Sequence, residues 1–119
     1  MKFISTKVHG IIDYLTAFLL IGLPFTLHYN TATMAGRIFI ILGVVLLVYS
    51  LITRYEHGLV DIIPFKLHLI FDLLSGILLA ASPWIFGFSD NVYMPHVVVG
   101  LFEILVTLFT KTRTSLAED

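Results

Sequence analysis

Apolar residues along this chain fall into four blocks, about 8–28, 35–54, 66–88 and 94–111, separated by short polar breaks. Each block is near the ~20 residues that carry a helix across a hydrocarbon core. Backbone groups in lipid must pair within their own segment, so the blocks predict helices. Within each block one stripe of polar or small residues recurs at helical spacing. The stripes are His9, Asp13, Thr16 or Ala17, and Leu20 on the first block, and Gly43, Leu46, Ser50 and Thr53 on the second. On the third they are His68, Asp72, Ser75 or Gly76, and Leu79, and on the fourth His96, Gly100, Glu103, Thr107 and Thr110. Such stripes turn inward in lipid, where small residues let helix backbones approach closely. The predicted fold is all-α, a four-transmembrane-helix bundle with a narrow polar seam.

The third block is a copy of the first. A shift of 59 aligns Lys7 with Lys66, His9 with His68, Asp13 with Asp72, Leu20 with Leu79 and Pro24 with Pro83. A shift of 57 aligns the other two blocks, Gly43 with Gly100, Ser50 with Thr107 and Thr53 with Thr110. Two tandem two-helix repeats follow, each crossing twice. Both copies therefore insert the same way up, in parallel orientation about an axis along the membrane normal. The whole chain reads as one membrane domain: unit one over 7–55, an interfacial linker over 56–65, unit two over 66–113, and a polar tail over 114–119 expected to fray.

Composition supports lipid as the solvent. The chain is 58% hydrophobic and 13% charged, against about a quarter charged in soluble domains, and its mean hydropathy is +0.98. A net charge of -1 gives no basic face for nucleic acid. The absence of cysteine removes disulfides, thiolate metal sites and cysteine nucleophiles. The first block reads as a retained helix and not a cleaved leader, because Asp13 interrupts it, no small-residue cleavage site follows and the pattern recurs. Lys2, Lys7, Arg54, Lys66, Lys111 and Arg113 lie at one end of the helices and only Arg37 at the other. That asymmetry predicts both termini in the cytoplasm.

Candidate chemistry centres on His9, Asp13, His68, Asp72 and Glu103. The three acids are predicted at similar depth, converging from the first, third and fourth helices. An acid there costs several kcal/mol unless it is protonated, paired or wetted. Three readings stay open. The seam binds or conducts a proton or small cation; or it holds a metal or haem, with His9 and His68 as ligands; or the His/Asp pairs only specify helix pairing in a structural module. His-x-x-x-Asp on two helices offers an N₂O₂ donor set. A bis-His haem between bundle helices rests on the two histidines alone. His57 and Asp61 repeat the spacing in the linker and read as an interfacial turn. His28 and His96 read as solvated. Ser82 has no His/Asp partner at its own depth, so no nucleophile–base pair points to an enzyme. Gly36 with Gly43, or Gly76 with Ala80, offers faces for a homo-oligomer.

Pro83 frees the carbonyl of Leu79, and Ser82 stands where it could re-satisfy it. Ser82-Pro83-Trp84, followed by Ile85-Phe86-Gly87-Phe88, resembles the signature of the SPW-repeat family of small bacterial integral membrane proteins. The first unit carries Leu23-Pro24-Phe25 at the matching place. The resemblance implies two-helix units in a bacterial inner membrane. It implies no reaction and carries over no catalytic residue.

Overall fold

A computed structural model describes residues 2–114 of the chain; the tail expected to fray lies, from residue 115 on, outside the described residues. Four helices follow in order: α1 (Thr6–Thr26), α2 (Met34–Leu51), α3 (Phe65–Ile85) and α4 (Met94–Leu108). The first three are long and apolar enough to cross a membrane. The fourth block gives a shorter helix than its apolar run suggested. At 15 residues it rises about 22 Å, short of the ~30 Å hydrocarbon core. It stops at Leu108 because the chain then leaves helical geometry to pair with the N-terminal strand-like segment. Phe3 and Ile4 donate to the Phe109 carbonyl at 3.0 and 2.9 Å, and Lys111 donates to the Ile4 carbonyl at 2.9 Å.

Local chemistry sets the helix ends. Ser5 caps α1, its hydroxyl accepting from Val8 N at 3.1 Å. Pro64 precedes α3 and Pro95 sits in the first turn of α4, where a missing N–H costs nothing. Both repeat units leave their first helix by the same device. His28 (φ 59°) and Gly87 (φ 73°) occupy the left-handed region. The following residues, Tyr29 and Phe88, donate to the Pro24 and Pro83 carbonyls at 2.7 and 2.8 Å, which is the Schellman arrangement. Pro83 stays within α3, and Ser82 Oγ donates to the Leu79 carbonyl at 2.7 Å, satisfying the acceptor that the proline orphans.

α1 packs on α2 and α3 on α4, as two antiparallel hairpins, and α2 joins them through α3. Gly43 and Gly100, counterparts in the repeat, allow each hairpin to close. A Cβ at Gly43 would stand 2.9 Å from the Ala17 carbonyl oxygen, and one at Gly100 2.7 Å from the Gly76 carbonyl oxygen. The small residues read from the sequence as oligomer faces are thus largely spent inside the chain, with Gly36, Gly43 and Gly76 all buried. Helix-face periodicity cannot distinguish a partner helix of the same chain from one of another.

The N-terminus of α1, the C-terminus of α2, the N-terminus of α3 and the C-terminus of α4 share one end. Ile4 pairs there with Thr110, and Thr53 contacts His68. The two units are therefore parallel. Polarity is inverted relative to a water-soluble domain. Leu15, Phe18, Val48, Leu74, Leu101 and Leu105 are exposed on the perimeter, whereas His9, Asp13, His68, Asp72, Thr53 and Thr110 are buried. Contiguous apolar surface of this kind marks contact with lipid.

Candidate functional site

The first turns of α1 and α3 meet at the shared end and bring His9, Asp13, His68 and Asp72 together. The contacts are crossed between the repeats. His9 Nε2 lies 2.7 Å from Asp72 Oδ2 and 3.1 Å from Asp13 Oδ1. His68 Nε2 lies 2.8 Å from Asp13 Oδ2 and 3.1 Å from Asp72 Oδ2. The i, i+4 spacing thus aims each pair into the seam, but the shorter contact of each histidine goes to the other repeat. All four residues are at most 5% exposed.

The far side of each ring fixes its tautomer. His9 Nδ1 is 2.7 Å from Thr110 Oγ1, and His68 Nδ1 is 2.7 Å from Thr53 Oγ1. Each threonine already donates its only proton to a backbone carbonyl, Thr110 to Val106 at 2.6 Å and Thr53 to Tyr49 at 2.5 Å. The hydroxyls can therefore only accept, and both Nδ1 atoms carry a proton. Each Nε2 is then the variable position. It donates to a carboxylate when protonated; when it is not, it offers a lone pair to a protonated carboxyl or to an ion between the acids. The threonines stood in the sequence stripes; their role as partners to histidine needed the rotation of α2 against α3 and of α4 against α1.

Two tyrosines complete the surroundings, and the stripes had missed both. Tyr49 donates its phenol proton to Asp72 Oδ1, and its ring stands edge-on to His68 with centroids 4.9 Å apart. Its position four residues before Thr53 was the available signal. Tyr55, in the loop that follows α2, lies 3.4 Å from Asp13 Oδ2. Burial and the Asp13 carboxylate push its phenol above the usual tyrosine range, so it remains a donor.

Glu103 does not join the crossed contacts. It lines a void of about 10 Å³ beside them, together with Asp13, Thr16, Asp72 and Thr107. The expectation of three converging acids therefore holds for two, with the third adjacent. His96, expected in solvent, is fully buried at the other end. Its Nε2 donates to the Ala35 carbonyl at 2.8 Å, and its ring stacks on Phe39 with centroids 4.1 Å apart. His96 is the repeat counterpart of Phe39, so the two rings meet where the units face each other. His57 reads as a structural turn residue: its Nε2 is 3.0 Å from the Lys7 carbonyl, and its own carbonyl accepts from Tyr14 at 2.6 Å. Asp61 is exposed and stands apart from the cluster.

The donor set, one atom from each of four residues within 4.8 Å of one another, has the composition of an N₂O₂ metal site. With Nδ1 engaged by threonine, Nε2 is free to ligate, as in metal sites where an outer partner orients the histidine. A porphyrin does not fit, since the carboxylates take the space between the imidazoles.

Comparison with curated proteins and with solved structures gives no match. The SPW repeat domain description matches residues 7–110, spanning both hairpins, the crossed His/Asp contacts and Ser82-Pro83-Trp84. By that match, the chain belongs to the SPW-repeat family.

Proposed function

We propose that this protein is a small integral membrane protein of the bacterial inner membrane that holds and exchanges protons at the His/Asp cluster. One observation carries the reading: each Nε2 lies within hydrogen-bond reach of carboxylates from both repeats, while each Nδ1 is committed to threonine. A proton on Nε2 thus has two acceptors, one on each unit, and can pass between the repeats without any backbone movement. Charges cancel when both rings are protonated and both acids ionised. That balance is what makes such a set tolerable at membrane depth. The basic residues cluster at the same end as the site, and this asymmetry supports reading that end, and both termini, as cytoplasmic.

Liposomes loaded with a pH-sensitive dye provide the test. Wild-type protein should dissipate an imposed proton gradient faster than the Asp13→Asn, Asp72→Asn double variant. Equal rates for the two would remove the proposal and leave the cluster as a helix-pairing device.

A second reading, a divalent transition-metal ion in place of the two protons, is favoured by the four convergent donor atoms. Neighbouring donors around a tetrahedral ion with ~2.0 Å bonds stand roughly 3.3 Å apart. The present separations of 2.7–3.1 Å are those of charge-assisted hydrogen bonds, so the ring of donors must widen by a few tenths of an ångström. Titration with Co²⁺ decides: a visible tetrahedral absorption in wild type that is lost in the double variant supports it, and no absorption overturns it.

A further inference from the structure

The two repeats are not equivalent around the cluster, and the difference opens one side of it. On the α2–α3 side, Tyr49 covers His68 and donates to Asp72. The repeat counterpart of Tyr49 is Val106, which has neither the ring to cover His9 nor the hydroxyl to reach Asp13. Beside Val106 lies the void of about 10 Å³, lined by His9, Asp13 and Asp72 but not by His68. A second substitution coincides with the first. Leu46, which is buried, has Glu103 as its counterpart; both line the void, and Glu103, half-buried, brings a carboxylate to it where the other unit brings a methyl-bearing side chain. Thr107 lines it too, and its hydroxyl is buried without a partner among the described residues.

A void of that size holds about one water, provided two to four polar groups face it. Asp13, Glu103 and Thr107 supply them, and a water there would satisfy the orphaned hydroxyl. α1 and α4 are also not among the closely packed helix pairs, and Phe102 beside the void is exposed. We infer that the seam between α1 and α4 is a water-holding port through which protons reach the cluster on its His9 and Asp13 side, with Glu103 as the port carboxylate and Tyr49 as the plug of the equivalent α2–α3 seam.

The use of the port by protons rests on the function proposed above; its existence does not, and the experiment separates the two. Exchange of the imidazole C2 hydrogen for deuterium, read by mass spectrometry on full-length protein in detergent micelles, reports water access to each histidine. His9 should exchange about tenfold faster than His68. Val106→Tyr, which copies the plugged side, should bring His9 down to the rate of His68. Tyr49→Val should raise His68 instead. Circular dichroism checks that each variant folds, and Val106→Leu is the milder filling variant should Val106→Tyr fail to. Equal rates for His9 and His68 in wild type, or a His9 rate unmoved by filling position 106 in a folded variant, would overturn the port. With the port established, a liposome gradient that Glu103→Leu dissipates as fast as wild type would overturn Glu103 as its carboxylate. No wild-type flux at all, with unequal histidine exchange, would remove the proton function and leave the port standing.

Discussion

Replacing Asp72 by Asn should be among the most damaging single changes of one functional group in the chain. Asp72 is 4% exposed; it accepts from Tyr49 and from His9 Nε2 at 2.7 Å, and lies 3.1 Å from His68 Nε2 as a second charge contact. Asparagine keeps one acceptor but turns an NH₂ toward groups that already donate. Removing one partner from a buried charged set costs about 3–5 kcal/mol, because the remaining charge is left uncompensated. Asp13→Asn removes the same two imidazole contacts, but its tyrosine partner is distant at 3.4 Å. It should therefore cost about 1 kcal/mol less, the net worth of one hydrogen bond. The double variant should cost less than the sum of the two, by about 1–3 kcal/mol, since both acids serve the same pair of rings. Equilibrium unfolding in mixed micelles, followed by circular dichroism, measures all three. A loss below about 1 kcal/mol for Asp72→Asn, or strict additivity in the double variant, would refute the crossed arrangement.

Three further outcomes follow from other parts of the structure. Thr53→Val leaves His68 Nδ1 without its acceptor and should destabilise by about 1–3 kcal/mol, with Thr53→Ser restoring most of it, as read by the same unfolding assay. Gly100→Leu drives a side chain into Ala80 and the Gly76 carbonyl, so the α3–α4 hairpin should open; cysteine pairs placed across that interface should then lose cross-linking efficiency. His28→Gly relieves a non-glycine residue at φ 59° and should stabilise by about 1 kcal/mol, raising Tm.

Much of this was legible in the residues, for a definite reason. The shift that superimposes His9 on His68 and Asp13 on Asp72 requires both pairs to occupy equivalent places. In lipid the only affordable place is the shared interior. Pro83 likewise announced the role of Ser82 one residue before it. What periodicity could not supply is the rotation of one helix against another. Tyr49 stands on the edge of the α2 stripe, and only the packing of α2 on α3 turns its hydroxyl to Asp72. The stripe on the fourth helix predicts that Glu103 converges with Asp13 and Asp72, yet the offset of α4 leaves it at the margin. The position of His96 near a helix end predicts solvent, but the side chain is buried. Its repeat counterpart Phe39 is a core residue, and that correspondence was the signal that it is buried. The length of α4 was overestimated because apolar composition continues past Leu108, where the backbone already pairs with residues 3 and 4.

His9 and His68 join the two repeats, each bound through Nδ1 to threonine and through Nε2 to the carboxylate of the opposite unit. Nitrogen-15 spectra of histidine-labelled protein in micelles test this arrangement most directly. Both rings should show a fixed Nδ1–H and a slowly exchanging, strongly hydrogen-bonded Nε2 signal that disappears in the Asp13→Asn, Asp72→Asn variant. Rings in free tautomeric exchange, with spectra indifferent to the loss of both acids, would contradict it.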